Sequence, residues 1–474
     1  MNAFFLYILS LLAELSSLND RAFGIKFGLF NQKSSSKDIH LINNIFYNGI
    51  YLNLSIGMPP QRVPLELDMN TQIFSISNKA FNKNQSSTYE DISKNEIFFD
   101  YDDIERGYNS KDIFILNNKT TNKINFLLGT KYPVDRIENL GIIGLSFPRR
   151  YQVGYPFFES FKNSEVINSR IWTIKYNNKK NLFDSICYNK DKDNIIGEFI
   201  FGDQPHNYES DNVKYNESEY IKVPALSIMG TIYWDISFNN IYLNFRENRT
   251  KRKSKAYFSG ERKAKIMINF SYMLGPSKFL EFIKENFFSQ YINDNICFEK
   301  RISNSFSYIE CDVNIDFKVE SFPDLSFEHI DFETIFNLTY KDLFVLDERN
   351  KKYLFLIFKE DYSTNWVLGS VFLRKFQLVF DEDSKTIGYY KQPQMFEVKE
   401  TVDKNNNSSN RGLLIILIIL FTFIVLFLGL YIQRKFFNKG RKIRANELEE
   451  NFSYEGKFNN SKGEEIKYDN KIIN

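Results

Sequence analysis

The chain has 474 residues, which is long for one domain and sufficient for two. Its charge is nearly balanced, with 61 Lys and Arg against 59 Asp and Glu, so no nucleic-acid partner is expected. The 48 Phe and 28 Tyr are ample material for large β-rich cores.

The first predicted element is the apolar run AFFLYILSLLAEL at residues 3–15. It is too short to span a bilayer comfortably and lies at the N-terminus, so we interpret residues 1–18 as a signal peptide. A buried first helix is the alternative. Residues 19–44 are polar and low in pattern, and we expect them to form a short pro-segment or linker.

From residue 45 the chain becomes a series of short runs rich in Ile, Phe, Tyr and Val, such as YLNLSIG, EFIFGD and YLFLIF. Turn residues separate these runs, which predicts a mainly β protein rather than alternating βα units. Residues 277–288 have a helical pattern. One sub-pattern occurs twice, as LELDMNTQ then GIIGLSF, and as KIMINFSYMLGP then WVLGSVF. We therefore expect two similar lobes, at residues 45–210 and 211–395.

An uncharged stretch at residues 413–432 follows a polar stalk at 396–412. As a helix it would rise about 30 Å, which matches the hydrocarbon core of a bilayer. A basic cluster follows it, so the tail at 433–474 is predicted to be cytoplasmic. The pattern is typical of a single-pass type I protein of the secretory pathway or cell surface, with a lumenal or extracellular ectodomain.

A lumenal compartment would permit disulfides and N-glycosylation. Cys297 and Cys311 are close in sequence and are expected to pair, which leaves Cys187 as a buried thiol. The three His are scattered without metal-ligand spacing, so neither a metal nor a cofactor is expected. Asn-x-Ser/Thr acceptors before the apolar span include Asn84, Asn118, Asn216, Asn248, Asn337 and Asn406.

Several motifs, in order, resemble the pepsin family of aspartic proteases over roughly residues 45–392. YLNLSIGMPPQRVPLELD is similar to the opening strand, the Gly-x-Pro-Pro-Gln turn and the strand of the first catalytic Asp. QSSTYED and NLGIIGLSFP follow in the family's order. NWVLGSVFLRKFQLVFDEDSKTIGYYK is similar to its C-terminal segment. The resemblance implies a bilobed pepsin-like fold with a peptide-binding cleft between the lobes.

The resemblance also implies a catalytic arrangement, from which this sequence departs. The family uses Asp-Thr-Gly in each lobe, and the two carboxylates share a proton to activate water. Here Asp68 is kept, but Met69 and Asn70 replace the Thr and the Gly. In the second lobe the Asp position falls on Met267, or on Asn269 if the alignment contains a small gap. Neither residue is an acid.

No reasonable shift of the alignment restores the second carboxylate, because the stretch between Asp235 and Asp294 contains no Asp. Loss of one member of a catalytic unit costs about 10⁴ to 10⁶ in rate, so hydrolysis is expected to be lost. Tyr101 occupies the place of the family's flap tyrosine, and it and Thr71 are the candidate binding residues.

Three functions remain open. A pseudoprotease would bind extended peptide or protein in the cleft, through strand edges and the flap, without cutting it. An unorthodox but active aspartic endopeptidase would use Asp68 with a recruited partner. A structural membrane glycoprotein would have a collapsed cleft and no peptide affinity.

Overall fold

The computed structural model describes residues 25–31, 41–46, 49–101, 104–116, 119–131, 140–148, 154–176, 195–207, 213–245, 255–313, 316–361, 363–391 and 394–395. All of them belong to one structural unit that ends at residue 396. The expected signal peptide, Cys187 and the predicted apolar span lie outside these residues. Within them, no helix is both long enough and apolar enough to cross a membrane.

Strands dominate the described chain, as predicted. In the first half they are β1 (Ile25–Asn31), β2 (Ile50–Ile56), β3 (Gln61–Asp68), β4 (Phe74–Ser77), β5 (Glu90–Asp91), β6 (Ile97–Tyr101), β7 (Ile104–Leu116), β8 (Lys119–Lys131), β9 (Gly141–Gly144), β10 (Ile171–Tyr176) and β11 (Gly197–Phe201).

The second half continues with many short strands. They are β12 (Val213–Lys214), β13 (Tyr220–Pro224), β14 (Ser227–Ile228), β15 (Thr231–Ile232), β16 (Asp235–Ser237), β17 (Asn240–Asn244), β18 (Lys255–Tyr257), β19 (Lys263–Ile266), β20 (Met273–Gly275), β21 (Cys297–Arg301), β22 (Phe306–Asp312), β23 (Asp324–His329), β24 (Thr334–Leu338), β25 (Phe344–Asp347), β26 (Lys352–Phe355), β27 (Ile357–Glu360), β28 (Trp366–Leu368), β29 (Leu378–Asp381), β30 (Thr386–Tyr390) and β31 (Gln394–Met395).

Helices are short. The α-helices are α1 (Leu41–Phe46), α2 (Phe157–Asn163), α3 (Ser277–Ile283), α4 (Ser289–Asn293), α5 (Tyr340–Leu343) and α6 (Ser370–Lys375). A π-helical turn at Lys284–Phe288 joins α3 to α4, so the helix predicted at 277–288 is confirmed and extends further. Short 3₁₀ turns occupy Lys83–Gln85, Pro205–Asn207, Glu217–Glu219 and Val319–Ser321.

A central sheet of fourteen strands joins the two halves of the chain. Its order is β13-β30-β29-β10-β11-β1-β2-β3-β9-β4-β8-β7-β5, with β6 paired to β7. The junction is the antiparallel pair β10–β29, where Trp172 lies opposite Phe380 and their rings stack at 4.0 Å. Burial alternates along β2, and Leu52, Leu54 and Ile56 on its buried face are at most 1% exposed. This alternation is the signal that made the strands predictable.

The second half also forms a nine-stranded sheet in the order β16-β19-β28-β20-β27-β22-β26-β25, with β21 paired to β22. A four-stranded sheet has the order β18-β17-β23-β24. Cys297 and Cys311 are register partners in β21–β22 and form a disulfide with their Cα atoms 4.0 Å apart. The predicted pairing is confirmed.

A four-strand unit occurs once in each half of the chain. In the first, β3 runs parallel to β9, β9 antiparallel to β4, and β4 parallel to β8. In the second, β19 runs parallel to β28, β28 antiparallel to β20, and β20 parallel to β27. The repeated motif in the sequence therefore corresponds to two copies of one topology.

The segment at residues 19–44, predicted to be a short pro-segment or linker, contains regular structure that its sequence pattern did not indicate. Ile25–Asn31 forms β1, which pairs with β11 and with β2 inside the central sheet. Ile25 and Leu29 are buried, whereas the intervening Lys26 and Gly28 weaken the apolar pattern. Tertiary pairing, rather than local propensity, makes this strand.

Candidate functional site

The first candidate loop begins where β3 ends, at Asp68. β3 runs parallel to β9, and Asp68 is the register partner of Gly144. Two backbone hydrogen bonds fix the loop: Leu145 N donates to Asp68 O at 2.7 Å, and Ser146 N donates to Thr71 O at 2.9 Å. The strand pair therefore sets the position of Asp68 through its backbone.

The second candidate loop begins where β19 ends, at Ile266, which is the register partner of Leu368. Met267 N donates to Leu368 O at 3.0 Å, and Ser370 N donates to Phe270 O at 2.7 Å. Phe270 lies three residues after Met267, just as Thr71 lies three residues after Asp68. The two loops thus have the same type of backbone support.

Glycines permit this close approach in both lobes. A Cβ on Gly144 would lie 2.5 Å from the Ile73 nitrogen, and a Cβ on Gly369 would lie 2.5 Å from the Phe270 oxygen. Cβ atoms are not tolerated at such distances. Gly144 and Gly369 are therefore equivalent, and both are required by backbone packing.

The two loops touch each other across the lobe interface. Ile268 N donates to the Met69 sulfur at 3.3 Å, and Lys265 Nζ donates to Asn70 Oδ1 at 3.0 Å. By register and by this contact, Met69 is equivalent to Ile268. Met267 then has the place that Asp68 has in the first lobe, and Asn269 has the place of Asn70.

The chemical surroundings of the two loops are opposite. Asp68 is half-buried, and its Oδ1 accepts the backbone N–H of Asn70 at 2.8 Å. Met267 is 2% exposed and Ile268 is fully buried. Asn269 Oδ1 is buried and finds no hydrogen-bond partner in the described part of the chain. The site thus combines one carboxylate with an apolar facing loop.

The two candidate binding residues are placed differently. Thr71 is buried, and its Oγ1 accepts the backbone N–H of Ile73 at 3.2 Å. Tyr101 ends β6 and pairs through its backbone with Ile104 of β7, in the hairpin where the flap was expected. Residues 102–103 at the turn lie outside the described chain. The binding roles of both residues stay predictions.

A small cavity of about 70 Å³, open to solvent at its mouth, lies beside the two loops. Trp234 anchors its wall across the interface, because its Nε1 donates to Leu145 O at 2.6 Å and its ring lies 3.9 Å from that of Phe147. Lys265 and Trp234 were not among the site residues predicted from the sequence. The lining residues are Met69, Asn70, Ser146, Phe147, Ile232, Tyr233, Trp234, Lys265 and Ile266.

The acid that follows Trp234 belongs to a lysine cluster. Asp235 is buried, and Lys263 Nζ lies 3.1 Å from its Oδ2. Burial raises the pKa of Asp235, and the nearby Lys263 and Lys265 oppose that rise. Elsewhere, the described residues contain no cluster of three or more His, Cys, Asp or Glu that could hold a metal ion.

Comparison with known proteins agrees with this architecture. Residues 51–392 match the family model described as eukaryotic aspartyl protease. The chain is 22% identical to pregnancy-associated glycoprotein 2 of Bos taurus over 373 residues, which cover 75% of this chain and 86% of that protein. It is 23% identical to embryonic pepsinogen of Gallus gallus over 359 residues, which cover 72% of this chain and 80% of that protein.

Proposed function

The chain belongs to the eukaryotic aspartyl protease family, and we propose that it is a pseudoprotease that binds extended peptide in the interlobe cleft without cleaving it. The observation that carries the proposal is Met267, buried at the place equivalent to Asp68. The family mechanism needs two carboxylates that share a proton, and a thioether can neither accept nor donate that proton. Asp68 retains a polar contact, but the facing loop contains no acid with which Asp68 could share a proton.

Peptide binding, rather than a collapsed coat protein, is supported by the open cavity at the base of the cleft. A structural glycoprotein without ligand would gain stability by filling this space with apolar side chains. Instead the lining includes the polar groups of Asn70, Ser146, Tyr233 and Lys265. Ligand sites typically combine apolar walls with a few polar groups that fix orientation.

The proposal is tested by measuring binding and turnover in one sample. The purified full-length chain is incubated with a library of extended peptides. Bound peptides are recovered, and their masses are measured by mass spectrometry. We expect saturable binding of intact peptides. Asn70→Trp, which places a large ring in the cavity lining, should block binding. The exposed Asn78, outside the lining, provides the matched control Asn78→Trp.

Two results would count against the proposal. Absence of saturable binding in the wild-type chain would favour the structural glycoprotein. Recovery of cleaved peptides, with cleavage lost in Asp68→Asn, would favour the active endopeptidase with a recruited partner for Asp68.

We further propose that residues 413–432 anchor the protein as a single-pass type I membrane protein, on the basis of their uncharged sequence and the basic cluster after them. Asn84, Asn216 and Asn337 are exposed, as glycan acceptors would need to be. Protease treatment of sealed microsomes should remove the tail and spare the ectodomain. Digestion of the ectodomain with protection of the tail would reverse the orientation.

A further inference from the structure

We propose that the cavity between Asn70 and Lys265 receives the carboxylate side chain of an Asp or Glu in the bound peptide, with Lys265 as the recognising cation. This inference rests on the proposed peptide-binding function and adds the chemical class of the ligand. It concerns the nine-residue lining already described, which contains a lysine and no acidic residue.

The ammonium group of Lys265 is oriented by a neutral hydrogen-bond partner. Its Nζ donates to the neutral amide oxygen of Asn70 at 3.0 Å. Lys263, two residues earlier on β19, forms an ion pair with the carboxylate of Asp235. Lys265 forms no ion pair with any residue that the structure describes. An ammonium group has three N–H donors, so donors remain for an incoming carboxylate.

The β16–β19 strand pair carries two cations, Lys263 and Lys265, and one carboxylate, that of Asp235. On the first loop, the Asp68 carboxylate accepts the backbone N–H of Asn70. Because Asp235 forms its ion pair with Lys263, Lys265 is the cation of the cavity lining, and an anionic group is favoured beside it. A lysine or arginine side chain would be repelled from the same space.

The walls suit a short side chain with an apolar stem and an anionic end. Met69, Phe147 and Trp234 provide buried apolar surface that methylene groups can contact. Ser146 and Tyr233 bring hydroxyl groups that can donate to a second carboxylate oxygen. Charge-assisted hydrogen bonds of this kind are shorter and stronger than neutral ones.

The rim of the cavity indicates a polypeptide rather than a free small acid. Ile232 of the lining belongs to the β14–β15 hairpin, whose turn fully exposes Met229 and leaves Ile228 41% exposed. Exposed apolar side chains next to a polar cavity are typical of surfaces that contact another protein chain. A free anion would make no use of them.

The test compares matched peptides on the purified full-length chain. Amidated decapeptides that bind the wild type are synthesised with Glu or Gln at each position in turn, and affinities are measured. At one position we expect Glu to bind about tenfold more tightly than Gln. Lys265→Met should abolish that preference, Lys265→Arg should keep it, and Lys265→Glu should favour Lys at the same position.

Lys222→Met is the matched control, because it removes the same charge from an exposed position outside the cavity lining and leaves the Lys263–Asp235 ion pair intact. The Glu preference should survive in this variant. Equal loss of the preference in Lys222→Met and Lys265→Met would indicate a diffuse electrostatic effect and overturn the assignment.

The remaining outcomes separate this inference from the function on which it rests. If no peptide binds the wild type, the proposed function itself fails. If peptides bind but Glu and Gln are equivalent at every position, only the carboxylate assignment fails. Competition by free glutarate as effective as that of the Glu peptide would also overturn it, because the cavity would then be a small-anion site.

Discussion

In the first lobe, residues 68–71 carry a half-exposed carboxylate and amide, whereas residues 267–270 of the second lobe bury a methionine and an isoleucine. The parallel strand pairs beside the two loops are nevertheless equivalent, and in each a backbone N–H that follows the glycine donates to a carbonyl of the loop. The frame therefore depends on strand register and on closely packed glycines, and not on the catalytic acids. One loop can therefore lack a carboxylate while the backbone arrangement of both loops is retained.

The largest effect on stability should come from substitutions at the two glycines that pack against the loops. Gly144→Ala and Gly369→Ala each place a methyl group on the backbone of the facing loop, at Ile73 and Phe270 respectively. We expect each to lower the free energy of unfolding by about 4 kcal/mol or more, as seen when packing is severely violated. Thermal unfolding of the purified chain measures this.

Gly230→Ala is the control, because nothing lies within 4 Å of the added carbon. Its φ of +80° should by itself cost about 1 to 2 kcal/mol, which is less than the loss at the two packed glycines. If only one of the substitutions at Gly144 and Gly369 is tolerated, the two loops do not have equivalent backbone packing.

A carboxylate moved to the second loop should be costly. Met267→Asp buries an ionised group where Met267 is 2% exposed, and we expect a loss of about 3 kcal/mol at neutral pH. Met267→Leu should cost less than about 1.5 kcal/mol, since volume is kept. Asp68→Met should also be mild because Asp68 is half-buried. Wild-type stability in Met267→Asp would mean that the second loop still accommodates an acid.

The second lobe has a further support in the Cys297–Cys311 disulfide, which closes a loop with a sequence separation of 14. Replacing both cysteines by serine should lower the free energy of unfolding by about 3 kcal/mol in the chain-entropy model. Limited proteolysis should then cut the second lobe first. If the first lobe is cut preferentially, the disulfide is not the main local support of the second lobe.

The largest pH dependence of stability should arise at Glu382, in the turn between β29 and β30 of the central sheet. Burial raises the pKa of Glu382 to about 7, against the opposing effect of Arg170 at 3.0 Å. Between pH 4.5 and about 7 the folded chain keeps a proton that the unfolded chain has lost, so stability falls as pH rises. The loss should total about 3 kcal/mol.

Glu382→Gln should flatten this decline, as followed by thermal unfolding at a series of pH values. The neighbouring Asp383 has a pKa lowered by its hydrogen bonds with Arg170 and Lys162, against the effect of burial. Its contribution is present at neutral pH and is lost as pH falls through the lowered value, so Asp383→Asn should destabilise the chain at neutral pH and have little effect in strongly acidic solution. If the stability of Glu382→Gln falls with rising pH as much as that of the wild type, Glu382 is not the titrating group.

Much of the fold was accessible from the sequence because the strands follow a period of two and the loop motifs recur. Leu52, Leu54 and Ile56 show that period clearly. β1 was missed, since its stability comes from pairing with Phe199 and its neighbours far along the chain. Local propensity carries no record of such partners.

The candidate site was only partly accessible. The position of Asp68 followed from its motif, whereas the sequence alone left Met267 and Asn269 as alternatives. Strand register and the contact between Ile268 and Met69 distinguish them. The bond from Lys265 to Asn70 joins residues 195 positions apart, and such a contact has no signature in a single sequence.

The central claim is that the asymmetry of the two loops abolishes proteolysis, and peptide turnover tests it most directly. The purified full-length chain, Asp68→Asn and Met267→Asp are incubated with a broad peptide library from about pH 3 to about pH 8, and products are identified by mass spectrometry. We predict that the wild type and Asp68→Asn give the same products. Met267→Asp should give no additional product. Wild-type cleavage that disappears in Asp68→Asn would contradict the account, because Asp68 would then have a catalytic partner.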